Sequence, residues 1–175
     1  MSTNTSTIPP INSKLSSIIE DFGARIYGLD PIGATVENLD LTTNKPPPKP
    51  IIEALEYIMA SRGFIVFKGE QALTEGQFLQ TSCWWGGKAL HSTHGVHPAT
   101  PNGNPHIFRL SNDTKEGILG VGPQWHNDGS FNPGTFSHAG YHMVRAPEQG
   151  GGTYFAHQTA AFDELKPDQK DYWSR

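Results

Sequence analysis

Cysteine is almost absent from the sequence, since Cys83 is the single cysteine among 175 residues. One cysteine cannot form a disulfide within the chain, which is typical of proteins in reducing compartments. The chain also lacks the apolar run of about 20 residues that crosses a bilayer. Its start, MSTNTSTIPPINSK, carries neither the apolar core of a signal peptide nor the arginines of a transit peptide. We therefore predict a cytoplasmic protein without a membrane partner.

Clustered positive charge is missing as well. Thirteen lysine and arginine residues stand against 17 aspartate and glutamate residues, which gives a net charge of -4, and no basic run appears. Proteins that bind nucleic acid usually carry a basic patch or stripe. The sequence thus predicts no nucleic-acid partner, whereas it leaves a homo-oligomer open.

Glycine and proline, by contrast, are abundant: the chain holds 19 glycines and 14 prolines, with 35% hydrophobic residues. This composition favours turns and short strands over a bundle of helices, and the length suits one domain. We predict a disordered tail over residues 1–22 and one domain over residues 23–175. The fold class that these patterns favour is mainly β with flanking helices (α+β).

Periodicity along the chain predicts the elements of this domain. Short apolar or alternating runs bounded by turn residues predict strands, at residues 24–27, 34–41, 64–67, 106–110, 125–128, 136–144 and 152–156. Apolar helical spacing, and a capping box at Thr74 and Gln77, predict helices, from residue 51 to a cap at Gly63, at residues 75–83 and 162–165, and from Pro167. Strands therefore outnumber helices in the predicted domain.

The stretch GPQWHNDGSF, residues 122–131, carries the most chemically specific pattern. On a strand, residues i and i+2 point to one face, so His126 and Asp128 would direct an imidazole and a carboxylate at one point. Those two groups, with open positions beside them, suit non-haem Fe(II). The alternative is a solvated turn, because Asn-Asp-Gly is a typical turn sequence. The spacing alone leaves both interpretations open.

Three further segments accompany this stretch in order along the chain. RGFIVFKG at residues 62–69 precedes it, and GGGTYFA at residues 150–156 and AAFDEL at residues 160–165 follow it. In this combination the sequence resembles the taurine dioxygenase (TauD/TfdA-like) family of Fe(II)/2-oxoglutarate-dependent dioxygenases, from about residue 24 to Arg175. The resemblance implies an incomplete double-stranded β-helix, the jelly roll of clavaminate synthase-like proteins.

The resemblance also implies cofactors and site residues. Iron would be held by His126 and Asp128, and the hydroxyl of Thr153 would donate a hydrogen bond to 2-oxoglutarate. Dioxygen and 2-oxoglutarate would be consumed while a small organic substrate is oxidised, with release of succinate and CO2. Further residues are expected near the substrate, namely His94, Trp125, Phe155 and His157.

One part of the family pattern has no match in this sequence. The family's second histidine ligand and its arginine for 2-oxoglutarate come far downstream of the aspartate ligand, and neither is found here. We therefore expect the N-terminal portion of a dioxygenase domain, truncated at the C-terminus and of little activity on its own. The alternative is a non-catalytic truncated isoform or relic that acts as a binding module.

A different metal site is offered by the cluster HSTHGVH. Three imidazoles, those of His91, His94 and His97, can hold zinc in a hydrolase. Gly95 and Pro98 argue against the helix that would bring the three rings together. The iron interpretation is therefore preferred.

Overall fold

The computed structural model describes residues 8–43, 45–69, 72–87 and 95–175. Within those ranges the chain forms, in order, α1 (Ser13–Asp21), β1 (Arg25–Gly28), β2 (Ala34–Glu37), α2 (Lys49–Arg62), β3 (Ile65–Lys68), α3 (Glu75–Ser82), α4 (Gln158–Asp163) and α5 (Pro167–Trp173). Short 3-10 helices span Cys83–Trp85 and Pro101–Gly103. No helix in these ranges is long and apolar enough to cross a membrane.

The described residues fall into two compact units. The first unit consists of residues 8–40, 47–69 and 144–175. The second unit consists of residues 41–43, 45–46, 72–87 and 95–143. The first unit therefore contains the whole sheet, and the second contains α3 and the irregular chain that follows it.

A three-stranded sheet in the order β1-β2-β3 forms the centre of the first unit. β2 runs antiparallel to β1, with Arg25 opposite Glu37. It runs parallel to β3, with Ala34 opposite Ile65, and α2 makes the crossover between the two parallel strands. Because β2 lies between the other strands, its first three residues are buried.

Two helices pack on this sheet, α1 against β1 and α2 against β2 and β3. Asn12 caps α1, since its Oδ1 accepts a hydrogen bond from the Lys14 N–H at 2.9 Å. Gly63 ends α2 with φ of 90°, a left-handed conformation that favours glycine. Apolar side chains that are at most 8% exposed make up the core: Ile19, Ala24, Ile26, Ala34, Val36, Leu39, Ile51, Ala54, Leu55 and Ile58.

Arg62, the last residue of α2, connects this helix to the loop between β1 and β2. The residue is 6% exposed, and its guanidinium donates to the carbonyl oxygens of Gly33 at 2.7 Å, Pro9 at 2.5 Å and Leu29 at 2.6 Å. Burying a charge is costly unless its donors are satisfied. The three carbonyls offset part of that cost, and those of Gly33 and Leu29 hold the loop against the end of the helix.

In the second unit, residues at the first turn of α3 make hydrogen bonds within the turn and to a distant loop. Thr74 Oγ1 accepts from the Gln77 N–H at 3.4 Å, and Gln77 Oε1 accepts from the Thr74 N–H at 2.8 Å, which together form a capping box. Glu75 accepts hydrogen bonds from the side-chain amides of Asn102, at 2.7 Å, and Asn104. The loop around the second 3-10 helix is thereby attached to the start of α3.

Elements predicted in the first half of the chain are confirmed. The strands expected at residues 24–27 and 64–67 are β1 and β3, each shifted by one residue, and the strand expected at residues 34–41 ends at Glu37. The helix that ends at Gly63 and the capping-box helix are α2 and α3. Near the end of the chain, a helix does begin at Pro167.

The strands predicted after α3 are wrong. Residues 106–110 contribute an isolated bridge, and residues 125–128, 136–144 and 152–156 form no strand. A strand requires a neighbour that pairs with its backbone N–H and C=O groups. Among the described residues, the first of these segments has only the single bridge from Leu110 to Ile118, and the other three form no ladder. Helix exceeds strand in the described part of the chain, so a small sheet with helices is observed rather than a mainly β fold.

The expected disordered tail over residues 1–22 also differs from the structure, because residues 13–21 form α1. Ile19 of this helix is 0% exposed and belongs to the core of the first unit. The Asn12 cap and the burial of one apolar face stabilise a helix that composition alone did not reveal. Residues 1–7 lie outside the described residues.

Candidate metal centre

His126 and Asp128 lie beside and within a turn of the second unit, not in the strand that the sequence predicted. Residues 128–131 form the turn, and the Asn132 N–H donates to the Gly129 carbonyl at 3.0 Å. The two side chains nevertheless converge, with Nε2 of His126 3.3 Å from Oδ1 of Asp128. The convergence is confirmed, but it occurs next to a turn and not in a strand.

The His126 ring is oriented by the backbone two residues before it. Nδ1 lies 2.7 Å from the carbonyl oxygen of Gln124. A carbonyl only accepts hydrogen bonds, so Nδ1 carries the proton and donates it to Gln124. In the neutral ring this leaves Nε2, the nitrogen that faces Asp128, available as a metal ligand. Gly122 makes room for the ring, since a Cβ there would lie 2.9 Å from Cε1 of His126.

The two carboxylate oxygens of Asp128 have different partners. Oδ2 accepts a hydrogen bond from the hydroxyl of Tyr141 at 2.8 Å, whereas Oδ1 faces His126. Desolvation, followed by the hydrogen bond to Asp128 and the charge of that residue, raises the pKa of Tyr141 to about 12. The Tyr141 hydroxyl therefore keeps its proton at neutral pH and remains a donor.

The pair fits two neighbouring ligands of a transition-metal ion. Ligand atoms about 2.1 Å from an ion and at a right angle to each other lie about 3 Å apart, which is close to the 3.3 Å between Nε2 and Oδ1. Two acceptor atoms that face each other at this distance can share a proton or a metal ion. The side chains of His126 and Asp128 are 51% and 30% exposed, so an ion can reach them. An imidazole beside a carboxylate suits Fe(II).

A third ligand is not found in the part of the chain that the structure describes, where no three His, Cys, Asp or Glu side chains come together. His91 and His94 lie outside that part. Both ring nitrogens of His97 bind backbone, since Nε2 donates to the Thr114 carbonyl at 3.0 Å and Nδ1 accepts from the Ala99 N–H at 3.1 Å. Neither ring nitrogen of His97 is therefore free to bind the zinc ion considered at the three histidines.

Two residues assigned through the resemblance are exposed. Trp125 precedes His126 in the second unit and is 73% exposed. Thr153 is exposed in the first unit, and its hydroxyl has no hydrogen-bond partner within the described ranges. A hydroxyl of this kind is chemically suited to donate to a carboxylate. The contact of Thr153 with 2-oxoglutarate stays a prediction.

Phe155 and His157 have packing or capping partners within the first unit. The ring of Phe155 stacks on that of Phe64, with centroids 4.6 Å apart. His157 caps α4, because its Nδ1 accepts a hydrogen bond from the Ala160 N–H at 3.3 Å. Its ring also covers Gly63, where a Cβ would lie 3.3 Å from Cδ2. These contacts give both side chains a structural role, and their contribution to a substrate pocket stays a prediction.

Sequence reasoning missed the two partners of the candidate ligands, Tyr141 and Gln124. Tyr141 lies 13 residues after Asp128 and belongs to no motif. Gln124 acts through its backbone carbonyl, which any residue in that position would supply. The sequence therefore carries no signal that would have identified either one.

A histidine and a carboxylate arranged in this way define a candidate non-haem metal centre. Residues 25–175 match the model of the family described as Taurine catabolism dioxygenase TauD, TfdA family. The match covers most of the chain, and the chain therefore belongs to this family.

The alpha-ketoglutarate-dependent sulfonate dioxygenase of Saccharomyces cerevisiae is a curated relative, 27% identical to this chain over 150 residues. The aligned region makes up 82% of this chain and 35% of the yeast protein. The chain thus spans about a third of the length of that relative. No solved structure matches the chain.

Proposed function

We propose that the protein is an Fe(II)- and 2-oxoglutarate-dependent dioxygenase that oxidises a small organic substrate with release of succinate and CO2. The observation that carries this proposal is the 3.3 Å approach of His126 Nε2 to Asp128 Oδ1 in a chain of the TauD, TfdA family. The fold that we propose for the whole catalytic domain is the double-stranded β-helix.

The residues of this chain would act by binding and orientation. His126 and Asp128 would hold the ion, and the Gln124 carbonyl keeps the proton of the neutral imidazole on Nδ1, away from the metal. The Thr153 hydroxyl would donate to the distal carboxylate of 2-oxoglutarate. Bound Fe(II) would supply the redox chemistry with dioxygen, which no protein side chain provides.

A small sulfonate is the first substrate class that we propose to test, because the yeast relative is named a sulfonate dioxygenase. Recognition of such a substrate requires cationic or neutral donors near the metal. The third iron ligand and a cationic partner for 2-oxoglutarate are assigned to none of the described residues.

A non-catalytic binding module is the alternative function. The observation in its favour is that only two candidate ligands meet among the described residues. Two protein ligands hold a divalent ion less firmly than three. The two functions differ in turnover, which a direct assay separates.

The test is succinate formation by the purified protein. Fe(II) is added without oxygen, 2-oxoglutarate and a panel of small sulfonates follow, and succinate is measured after air is admitted. Variants His126→Ala and Asp128→Ala should lower succinate formation by about 100-fold or more, because each removes a metal ligand. Asn127→Ala is the matched control, since it changes the residue between the ligands and should retain activity.

Each result decides between the functions. Iron-dependent succinate formation that both ligand variants abolish supports the dioxygenase. Succinate formation that persists in His126→Ala would contradict the proposed metal centre. An unaltered protein that binds Fe(II) but forms no succinate with any sulfonate or with 2-oxoglutarate alone would favour the binding module.

A further inference from the structure

Residues 138–142 pack on α3 and on the 3-10 helix after it. The ring of His138 stacks on Trp85, with centroids 5.6 Å apart and planes inclined by 17°. The ring of His142 lies 5.6 Å from that of Phe78. Both histidines thus attach the segment to these helices.

Gly140, between the two histidines, allows the segment to approach the helix closely. A Cβ on Gly140 would lie 3.1 Å from Ser82 Oγ and 3.6 Å from the Phe78 ring. Tyr141 is the next residue, and its hydroxyl reaches Asp128. Contacts of its neighbours with the helices therefore help to set the position of the hydroxyl.

We propose that Tyr141 is a positioning residue of the metal centre, because its hydroxyl holds Oδ2 of Asp128 and leaves Oδ1 as the oxygen that faces His126 Nε2. The inference rests on the proposed function, since it assumes that the ion lies between these two atoms. It assigns a role to a residue that belongs to no recognised motif of the chain.

The physical reason is that the two oxygens of a free carboxylate are equivalent. Rotation about the Cβ–Cγ bond exchanges them, and an ion can then bind one oxygen or both. A hydrogen bond to Oδ2 makes the oxygens of Asp128 unequal and favours binding through Oδ1 alone. An ion held through one oxygen of Asp128 would leave more of its coordination positions for a co-substrate.

Both candidate ligands are then oriented by an outer hydrogen bond. The Gln124 carbonyl holds Nδ1 of His126 at 2.7 Å, and the Tyr141 hydroxyl holds Oδ2 of Asp128 at 2.8 Å. Loss of such a partner typically weakens metal binding by about 10-fold to 100-fold. Because Tyr141 is 59% exposed, water can replace part of its hydrogen bond, and the lower end of this range is expected.

The test is a titration of the metal-free protein with Co(II) alone, followed by visible absorption. Tyr141→Phe should weaken Co(II) binding by about 10-fold and should change the position or intensity of the Co(II) bands, because the coordination of the carboxylate changes. Tyr57→Phe, which removes a hydroxyl from an exposed tyrosine of α2, should bind Co(II) as the unaltered protein does. The unfolding midpoint of each metal-free variant is measured in parallel.

The outcomes separate this inference from the proposed function. If His126→Ala binds Co(II) as tightly as the unaltered protein, the metal centre itself is wrong. If His126→Ala abolishes binding while Tyr141→Phe keeps both the affinity and the spectrum, only the positioning role of Tyr141 is overturned. It is also overturned if Tyr141→Phe lowers the affinity without a spectral change and lowers the unfolding midpoint to a matching extent, since that result indicates a general structural effect.

Discussion

The ring of Phe155 stacks on the ring of Phe64, with centroids 4.6 Å apart and planes inclined by 30°. Phe64 in turn covers Gly33, where an added Cβ would lie 2.5 Å from its ring. Gly33 precedes β2, and Phe64 precedes β3. Within the first unit, Phe155 thus extends the packing at this end of the sheet into the chain that leads to α4.

Replacement of Phe155 by alanine should destabilise the protein by about 1–2 kcal/mol, because it removes an aromatic contact from a side chain that is about half buried. Tyr154→Ala is the matched control, since Tyr154 is 81% exposed and should contribute less than about 0.5 kcal/mol. Chemical denaturation of both variants measures the difference. Equal losses would show that the stacked pair contributes no specific stability.

Replacement of Arg62 by methionine should cost about 3 kcal/mol of unfolding free energy, because three carbonyls lose a charged donor inside the protein. The amide of Leu29, which donates to Gly33 at 2.9 Å in the loop held by Arg62, should also exchange its hydrogen faster. Denaturation and hydrogen exchange measure the two effects. Arg25→Met on the exposed side of β1 should change stability by less than about 0.5 kcal/mol, and an equal loss in both variants would contradict the buried role.

Replacement of Gly122 by alanine should disturb the candidate metal centre. The new Cβ would lie 2.9 Å from Cε1 of His126, and the residue has φ of 71°. Gly120→Ala is the matched control, because Gly120 has φ of 73° with no atom within 4 Å of a new Cβ. Both variants should lose about 1 kcal/mol of stability through backbone strain.

Only the Gly122 variant should weaken Co(II) binding, by about 10-fold or more, since only there must the His126 ring move. Titration of both metal-free variants with Co(II) measures the effect. A loss of affinity in both, or in neither, would show that the position of the His126 ring does not decide metal binding.

Replacement of Thr35 by valine should stabilise the protein by about 1 kcal/mol. Thr35 is 0% exposed in the central strand β2, and its Oγ1 has no hydrogen-bond partner among the described residues. Valine keeps the branched shape and removes the cost of burying an unpaired hydroxyl. Thr114→Val at an exposed position should change the unfolding free energy by less than about 0.5 kcal/mol. A destabilised Thr35→Val protein would indicate that the hydroxyl is paired in solution.

The elements that the sequence predicted well are those whose signals are local. The glycine after α2 and the capping box of α3 each act through neighbours within about four residues. The strands expected beyond α3 failed for the opposite reason. Residues 136–144 carry a strand-like pattern, but a strand depends on a partner elsewhere in the chain, and a pattern cannot supply one.

The candidate metal centre shows the same difference between local signals, which the sequence carries, and contacts between distant residues, which it does not. Residue types and spacing identified His126 and Asp128, and the order of the accompanying segments indicated the family that residues 25–175 match. The expectation of a strand at residues 125–128 was wrong, although the convergence of the two side chains was right. Turn formation by Asn-Asp-Gly and metal binding had been opposed as alternatives, and the structure shows that the two side chains can approach each other next to a turn.

The sequence by itself determined which chemical groups are available: one imidazole and one carboxylate separated by a single residue, in a chain of the TauD, TfdA family. Only the tertiary structure decided which atoms of those groups face each other. The Gln124 carbonyl binds Nδ1 of His126, which leaves Nε2 to face Asp128. The Tyr141 hydroxyl binds Oδ2 of Asp128, which leaves Oδ1 to face His126. Such choices depend on hydrogen bonds between groups brought together by folding, and spacing along a sequence does not encode them.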